Sequence, residues 1–319
     1  MKRIAVLTSG GDAPGMNAAV RAVVRSAIYS GLEVFGITRG FHGLITQDFI
    51  KMSLGSVADI IHRGGTILRT SRSLEFLQEK GRSRARESLS YFGIQDLIVI
   101  GGNGTIYGGY ELSKLGINVI SIPASIDNDI AYVDISIGFD TAVNTVLEAI
   151  NRIRDTATAH ERIFIIEVMG RDSGHIALAA GLSGGAETIL IPELNIEVER
   201  IVERLKQGLK RGKLHSIIVV AEGCGGAYPL AQKIRGMTGM ETKVTVLGHT
   251  QRGGTPTAVD RMLASHMGKR AVDLLLQGEK NKMIAFKDMK LVEIELQDVI
   301  KGKKDIDLEI CEIARILSI

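Results

Sequence analysis

The sequence has no tryptophan, and aromatic residues make up only 4% of its 319 positions. Valine, isoleucine, leucine and alanine must therefore pack the core, a composition that suits buried parallel strands and the helices that cover them. Proline is scarce too, with 5 residues, which argues against long disordered stretches. No apolar run of about 18 residues occurs, and the first residues lead straight into a strand-like segment. Neither a membrane span nor a signal peptide is indicated.

An excess of one charge sign is also missing. The formal net charge is +3, the charges form no tail-like block, and the basic residues are not interleaved with stacking aromatics. A nucleic-acid partner is therefore not indicated. The two cysteines, Cys224 and Cys311, lack metal-ligand spacing and fit a reducing compartment. We expect a cytoplasmic globular protein.

Glycine, by contrast, is abundant. There are 37 glycines, many of them in doublets at the ends of apolar runs, which predicts tight turns rather than a linker. A chain of this length favours two domains. Since no segment rich in proline, glycine or serine separates them, we place the boundary near Gly138.

Short β-rich runs alternate with helical patterns almost throughout the chain. This alternation predicts parallel sheets with crossover helices, which is an α/β fold. The predicted strands are 4–8, 34–38, 97–100, 118–122, 163–168, 188–191, 215–221 and 243–247. The predicted helices are 15–30, 56–63, 82–91, 144–157 and 197–212.

Two glycine-rich loops follow predicted strands, at 8–15 and 100–105. Ligands of open α/β sheets bind beyond the carboxyl ends of strands, and glycines let backbone N–H groups approach a phosphate at a helix N-terminus. The first loop matches neither a Walker loop nor the dinucleotide fingerprint, so a plain strand–helix turn is the alternative. For Thr105, the alternative to a phosphate contact is a helix cap.

A carboxylate cluster, Ser125-Ile126-Asp127-Asn128-Asp129, follows the strand at 118–122. Asp127 and Asp129 are two residues apart, so in an extended loop they could flank one reaction centre. One carboxylate could take a proton from a substrate hydroxyl while the other positions Mg²⁺ or its water. The alternative is an Asx-turn, which Asp and Asn form readily.

Cationic side chains fall into two groups. Arg162, Arg171, His249 and Arg252 lie near strand ends and could bind phosphate, and Glu222 could accept a hydrogen bond from a sugar hydroxyl. A second set does not follow strand ends: Arg21 and Arg25 share a helix face, Arg154 lies in another helix, and 211–215 joins a helix to a strand. Surface charges and a solvated basic face are the alternatives.

Together these segments resemble the bacterial ATP-dependent 6-phosphofructokinase family. The resemblance runs in order along the chain, apart from a nondescript C-terminal stretch. The segments that carry it are 7–12, 61–66, 125–129, 137–142, 154–157, 168–171, 184–187 and 248–256.

The resemblance implies two similar Rossmann-like three-layer domains with mainly parallel sheets and an active site in the cleft between them. The larger, ATP-binding domain would comprise 1–138 and 251–300. The smaller, sugar-phosphate-binding domain would comprise 139–250 and 301–319. Four subunits would form an allosteric homotetramer.

The resemblance also implies an activity, the transfer of a phosphoryl group from ATP to the 1-hydroxyl of D-fructose 6-phosphate in glycolysis, with Mg²⁺. Asp127 would be the general base, Asp129 would assist at the metal, Gly11 and Arg171 would stabilise the transferring group, and Ser125 would hydrogen-bond near it. ATP would be bound by Gly11, Arg72, Ser73, Gly102, Asn103, Gly104 and Thr105. The sugar phosphate would be bound by Ser125, Ile126, Asp127, Met169, Gly170, Arg171, Glu222, His249, Thr250, Gln251 and Arg252, with Arg162 and Lys243 from a neighbouring subunit. ADP or a phosphoenolpyruvate-like effector would be bound by Arg21, Arg25, Asp59, Arg154, Gly185, Ala186, Glu187, Arg211, Lys213, Leu214 and His215.

Some positions depart from the family pattern. Asn103 stands where the family carries a metal-binding Asp, so metal–nucleotide binding should weaken because the charge is lost. Lys243 replaces an Arg and loses bidentate phosphate geometry. Gly104 and Ala124 stand where pyrophosphate-dependent relatives carry Asp and Lys, which favours ATP as donor. Two alternatives are a catalytically weakened paralogue that acts as an effector-binding or regulatory subunit, and a kinase for another sugar phosphate.

Overall fold

The computed structural model describes residues 2–160, 162–194, 197–213 and 215–317, in which strands and helices alternate. The strands are β1 (Arg3–Thr8), β2 (Glu33–Ile37), β3 (Phe49–Lys51), β4 (Asp96–Gly101), β5 (Asn118–Pro123), β6 (Ile163–Val168), β7 (Thr188–Leu190), β8 (Ser216–Ala221), β9 (Thr242–Val246), β10 (Lys282–Lys287) and β11 (Lys290–Glu295). The helices are α1 (Met16–Tyr29), α2 (Gly40–Thr46), α3 (Glu79–Tyr91), α4 (Asn103–Ser113), α5 (Phe139–His160), α6 (His175–Ser183), α7 (Val198–Lys210), α8 (Ala227–Thr238), α9 (Ala258–Leu276), α10 (Leu296–Lys301) and α11 (Leu308–Leu317). Within these residues, no helix has the length and apolar character needed to span a membrane.

The chain divides into two compact units. Unit 1 comprises Met1–Thr141 and Arg252–Lys304, and unit 2 comprises Ala142–Gln251 and Asp305–Ile319. Each unit is therefore built from two separate stretches of the chain, and the chain crosses between the units three times. This explains why no single linker-like stretch marks a boundary.

Unit 1 contains a seven-stranded sheet in the order β11-β10-β5-β4-β1-β2-β3. Its five central strands are parallel, and the edge strands β3 and β11 run antiparallel to their neighbours. Strands β4 and β1 read as nearly unbroken apolar runs because both of their faces are covered. Alternate residues such as Ala5, Leu7 and Val99 pack into one cluster with residues of α2, α3 and α4. The intervening buried residues must face the other side of the sheet, where α1 and α9 pack on each other and contact the strands.

Unit 2 contains a four-stranded parallel sheet in the order β7-β8-β6-β9. Helices α7 and α8 cover it, with Ile201 and Leu205 of α7 packed against Ile163, Ile165 and other strand residues. Their spacing of four residues is the expected apolar stripe of a surface helix. Both units thus confirm the predicted α/β class with mainly parallel sheets.

Each predicted strand is present with its ends within a residue or two, but the helix predicted at 56–63 is wrong. That segment makes a single 3₁₀ turn at Gly55–Val57, after which Ala58 is extended and Asp59 is left-handed with φ of 52°. Tertiary contacts override the local pattern here, since Gly64 lies so close to Gly254 that a Cβ atom would come within 2.3 Å of its carbonyl oxygen. Strands β10 and β11 were not predicted, because their hairpin has few turn-specific residues at its positive-φ positions, Asp288 and Met289.

Candidate active site

Three of the predicted loops lie side by side at the carboxyl edge of the unit 1 sheet. They follow β1, β4 and β5, which are neighbours in the sheet. Ser9 donates its backbone N–H to the carbonyl of Ile100 at 3.1 Å, and Ala124 donates to the carbonyl of Gly101 at 3.0 Å. The order of the strands therefore gathers both glycine loops and the carboxylate cluster at one edge.

The 100–105 loop is shaped to admit a ligand at the start of α4. A Cβ atom on Gly101 would lie 2.4 Å from the carbonyl oxygen of Ser9, so this position needs glycine, whereas one on Gly104 would meet no atom within 4 Å. Gly102 caps α4 without a side-chain hydrogen bond, and the first turn holds no acidic residue. The helix N-terminus thus keeps its positive end for an anion.

Thr105 lies in that first turn of α4. Thr105 is 2% exposed, and its Oγ1 atom has no hydrogen-bond partner among the described residues. The interpretation of Thr105 as a helix cap is therefore not supported. A buried hydroxyl without a partner is costly, so a ligand oxygen that it could bind would recover that cost.

The first glycine loop contacts Arg252. A Cβ atom on Gly11 would lie 2.2 Å from Nη1 of Arg252, which donates to the carbonyl oxygen of Asp12 at 3.2 Å. The guanidinium group thus packs against the backbone of the loop. The sequence assigned Gly11 and Arg171 to the transferring group, and the structure adds the cation of Arg252 beside Gly11 in unit 1.

The carboxylate cluster is folded by its central residue. Asn128 has a left-handed backbone with φ of 52°, donates from Nδ2 to the carbonyl of Asp134 at 2.9 Å, and accepts from the N–H of Ser136 at 2.9 Å. Asp127, only 5% exposed, donates its backbone N–H to Oγ of Ser125 at 3.3 Å. Asn128 therefore holds the loop through residues six and eight positions later in the chain, whereas an Asx-turn bonds the backbone two residues on.

Asp129 is joined to the second glycine loop. Nδ2 of Asn103 donates to Oδ2 of Asp129 at 2.9 Å. Nearby, Nζ of Lys304 donates to the carbonyl of Asp134 at 3.0 Å. Burial lowers the pKa of Lys304 to about 8, against the opposing influence of Asp134 and Asp129. The two predicted metal-binding residues therefore contact each other directly.

In unit 2, the loop after β6 has a strained backbone at Gly170 and Arg171, with φ of 141° and 54°. Oε1 of Glu222 accepts from the N–H of Gly170 at 3.3 Å and from that of Arg171 at 2.8 Å. Buried Gln251 accepts from the N–H of Met169 at 3.3 Å. The structure thus brings together five of the predicted sugar-phosphate residues and shows Glu222 binding the backbone of this loop.

Arg162, directly before β6, and Lys243 of β9 share a carboxylate partner in unit 2. Oε2 of Glu241 is 2.6 Å from Nε of Arg162, and its Oε1 is 2.7 Å from Nζ of Lys243. Hydrogen bonds from Lys243 and Arg162 lower the pKa of Glu241. Glu241 was not predicted as a site residue, although its spacing of two from Lys243 places both on one strand face.

The unit 2 part of the predicted effector set also comes together. Nη2 of Arg154 donates to the carbonyls of Gly184 and Gly185 at 2.5 and 2.9 Å, and Nζ of Lys213 lies 2.8 Å from Oε1 of Glu187. A cavity of about 160 Å³ is lined by Glu187, Arg211, Lys213 and His215, and also by Arg204 and Arg315, which the sequence did not suggest. Ala186 is buried beside them, and Leu214 lies outside the described residues.

The remaining predicted residues are less closely connected. Arg21 and Arg25 lie one turn apart on α1, which contacts the 3₁₀ turn that precedes Asp59. Arg72 is exposed and Oγ of Ser73 accepts from the N–H of Phe76, and no described hydrogen bond joins either residue to the 100–105 loop. Ile126 is buried, and the loop residues His249 and Thr250 are exposed.

The carboxyl edge of this parallel α/β sheet carries two glycine loops and a buried carboxylate. This arrangement is typical of a phosphoryl-transfer enzyme. The phosphofructokinase family model matches residues 3–275. The chain belongs to the phosphofructokinase family.

Individual relatives agree with this family. The chain is 57% identical to an ATP-dependent 6-phosphofructokinase of Natranaerobius thermophilus and 55% identical to one of Clostridioides difficile, with all of both chains covered in each case. A crystal structure of Pichia pastoris phosphofructokinase in the T-state superposes with a TM-score of 0.90 at 35% identity. That match covers 94% of this chain and 37% of the yeast chain.

Proposed function

We propose that this chain transfers the terminal phosphoryl group of ATP to the 1-hydroxyl of D-fructose 6-phosphate, which yields fructose 1,6-bisphosphate and ADP in glycolysis. The observation that carries the proposal is the position of buried Asp127. It lies at the carboxyl edge of the unit 1 sheet, where both glycine loops begin. Relatives aligned over their full length are named ATP-dependent 6-phosphofructokinases. This favours an active enzyme over a regulatory paralogue.

Asp127 is the general base of the proposed reaction. As the 1-hydroxyl oxygen forms its bond to the terminal phosphorus, the carboxylate takes the hydroxyl proton, and the bond from phosphorus to the ADP oxygen breaks. Its loop is held by Asn128 and Ser136, so the carboxylate is carried on a backbone that is fixed before substrate arrives. Ser125 lies on the same loop, within reach of the same group.

The nucleotide phosphates bind to backbone groups of unit 1. The N-terminus of α4, the open space at Gly104 and the buried hydroxyl of Thr105 support this assignment, with Gly102 and Asn103 beside them. Gly11, with Arg252 against it, is assigned to the transferring group, and Arg171 is assigned to the same group through the family resemblance. Arg72 and Ser73 are assigned to ATP through the family resemblance.

Mg²⁺ fits the residues present. Magnesium binds through one or two carboxylates together with substrate phosphates, and Asp129 supplies one carboxylate next to the proposed phosphate loop. Asp129, with Asn103 beside it, would hold the ion. When bound, Mg²⁺ neutralises phosphate charge that develops during transfer.

The sugar phosphate binds mainly to unit 2. Glu222 and Gln251 hold the backbone from Met169 to Arg171, which supports a site preformed for one ligand. The remaining contacts are assigned to Ile126, His249, Thr250 and Arg252. Arg162 and Lys243 would complete the same site of a neighbouring subunit in a homotetramer.

A phosphorylated effector such as ADP is proposed for the second basic set. The cavity beside Glu187, with Arg211, Lys213 and His215 in its wall, supports an anion site in unit 2. Arg21, Arg25 and Asp59 of unit 1, with Arg154, Gly185 and Ala186 of unit 2, complete the set. A cytoplasmic location stays a prediction.

The test is an assay of purified protein with ATP, Mg²⁺ and a panel of sugar phosphates, in which bisphosphate formation is followed by phosphorus NMR. We expect fructose 6-phosphate to be the preferred acceptor. Asp127→Asn should lower kcat by about 10²- to 10⁴-fold, because the base is lost. Asp288→Asn, the same charge change at an exposed hairpin turn, is the control.

Two outcomes would contradict the proposal at different levels. ADP release that does not depend on any sugar phosphate would refute the activity. Full activity of Asp127→Asn would refute the role of the base and leave the activity standing.

A further inference from the structure

Asn103 and Asp129 form a contact that bears on how the proposed magnesium ion is acquired. Asn103 is the first residue of α4, and its Nδ2 donates to Oδ2 of Asp129 at 2.9 Å and to the Asp129 carbonyl at 3.5 Å. The amide therefore presents its N–H groups, not its oxygen, to the carboxylate.

This orientation follows from chemistry. An ionised carboxylate can only accept hydrogen bonds, so an asparagine in contact with it must donate. An N–H group is not a metal ligand, and a cation that joined both side chains would have to break the hydrogen bond and turn the amide. The amide thus occupies a position on Asp129 that a cation would otherwise take.

The surroundings of Asp129 offer little else to a free cation. No group of three His, Cys, Asp or Glu side chains suited to a metal occurs in the described ranges. A cation also stands nearby, since Nζ of Lys304 donates to the carbonyl of Asp134 at 3.0 Å. Magnesium loses its water reluctantly, so a single carboxylate that is already bonded holds it weakly.

We propose that Asn103 is a positioning residue that takes the place of a cation beside Asp129, so that the described residues around Asp129 hold no divalent cation until nucleotide phosphates supply the missing oxygens. Asp129 is then fixed in the metal-free protein. The cation binds and leaves with the nucleotide. The part of this inference that concerns the nucleotide rests on the proposed function, and the part that concerns the metal-free protein does not.

The test uses Mn²⁺ as the probe, with free ion measured by electron paramagnetic resonance in full-length protein without nucleotide. Wild type should bind no Mn²⁺ at this site below millimolar concentration. Asn103→Asp should bind one Mn²⁺ per chain at least about tenfold more tightly, because it offers a second carboxylate. Asn103→Ala frees Oδ2 of Asp129 but leaves a single carboxylate, so it should gain less affinity for Mn²⁺ than Asn103→Asp.

Thermal unfolding provides a second readout. Asn103→Asp should lower Tm in chelator, because two carboxylates repel each other, and Mn²⁺ should restore it. The chain offers a matched control in Asn118→Asp, since Nδ2 of Asn118 donates to Oδ1 of Asp96 at 2.7 Å at the opposite edge of the sheet. Lys2 lies 2.8 Å from Asp96 and balances charge there, so Mn²⁺ should not restore Tm in this control.

Two results would overturn the inference. One is tight, nucleotide-independent Mn²⁺ binding by wild type that Asp129→Asn abolishes. The other is an Asn103→Asp variant that folds and binds Mn²⁺ no better than wild type. Mn²⁺ that binds wild type only with ATP would support the inference. Absent phosphoryl transfer to fructose 6-phosphate would refute only the proposed function.

Discussion

The two units place groups suited to anions by different means. In unit 1 most of these groups belong to the backbone of glycine loops and the start of α4, where Gly101 packs against Ser9 and Thr105, and Arg252 packs against Gly11. In unit 2 they are cationic side chains or a strained loop, each held by a glutamate. Glu241 holds Arg162 and Lys243, Glu187 holds Lys213, and Glu222 holds the N–H groups of Gly170 and Arg171.

This difference has a consequence for binding. A backbone loop costs little to organise when ligand arrives, because the fold has already ordered it. A cation paired with a glutamate must exchange one anionic partner for another. We therefore expect the groups of unit 1 to respond mainly to steric changes and those of unit 2 to charge changes.

The largest effect is expected from Gly101→Ala in unit 1. The new methyl group would overlap the Ser9 carbonyl and Thr105, so the free energy of unfolding should fall by about 3 kcal/mol. Urea unfolding measures this change. Gly104→Ala is the matched control, because its methyl group enters open space on a helix and should stabilise by about 0.5 to 1 kcal/mol.

The same pair of variants separates stability from binding. Gly104→Ala should weaken ATP binding in a calorimetric titration, since the open space at this position is where we place the nucleotide. Unchanged ATP affinity in the stable Gly104→Ala protein would break the assignment of this loop to ATP.

A smaller effect is expected from Glu222→Ala in unit 2. The N–H groups of Gly170 and Arg171 lose their acceptor, which should cost about 1 to 2 kcal/mol of stability and should lower kcat because Arg171 is no longer positioned. Glu222→Gln keeps the accepting oxygen and should retain most of both. If Gln behaves like Ala, the charge of Glu222 matters more than its hydrogen bonds.

Lys304 of unit 1 is a cation held by a carbonyl group rather than by a glutamate. Its pKa is lowered to about 8 by burial. Between that pH and its ordinary pKa of 10.5, the unfolded chain binds a proton that the folded protein does not, so stability rises with pH in this window.

Lys304→Met should remove this rise. The stability advantage of wild type over the variant should grow by about 1 kcal/mol between pH 8 and 10, after a discount for partial solvent access. Urea unfolding at several pH values measures it, with Lys303→Met at the exposed neighbouring position as the control. Parallel pH profiles of wild type and Lys304→Met would contradict the burial of this lysine.

The smallest effect is expected from Glu241→Gln in unit 2. Exposed ion pairs contribute less than about 1 kcal/mol, so stability should barely change. The KM for fructose 6-phosphate should fall by about two- to threefold, because phosphate no longer competes with the carboxylate for Arg162 and Lys243. Glu148→Gln, which removes an exposed ion pair on α5, is the control. An increased KM would show that Glu241 positions the two cations rather than competing for them.

Local patterns were sufficient for the buried strands and for the loops that follow them. Strand β4 was predictable because a short unbroken apolar run is typical of a buried parallel strand, and the glycines that follow it indicate a turn. Strand β11 was missed because a half-buried edge strand leaves a weak pattern, and β10 was missed because its buried apolar run, Met283–Ala285, is only three residues long. The helix predicted at 56–63 was wrong because the contact between Gly64 and Gly254 joins residues that are far apart in sequence.

The candidate site divides in the same way. Asp127 and the glycine loops could be proposed because each follows a strand, and the family resemblance assigned their roles. The contacts of Asn103 with Asp129, of Arg252 with Gly11 and of Glu241 with Arg162 could not be predicted. Each depends on side chains from different strands or loops that meet only when the sheet is ordered.

By itself, the sequence determined the α/β class, the positions of the strands and the residue types available at their ends, since these depend on neighbours along the chain. The tertiary structure decided which of those residues face one another. It showed that Asn103, where the family pattern has a charge, makes a hydrogen bond instead, because strand order brings Nδ2 of Asn103 to within 2.9 Å of Oδ2 of Asp129. Contacts between side chains that are distant in sequence depend on how the strands and helices pack, and no local sequence pattern encodes that packing.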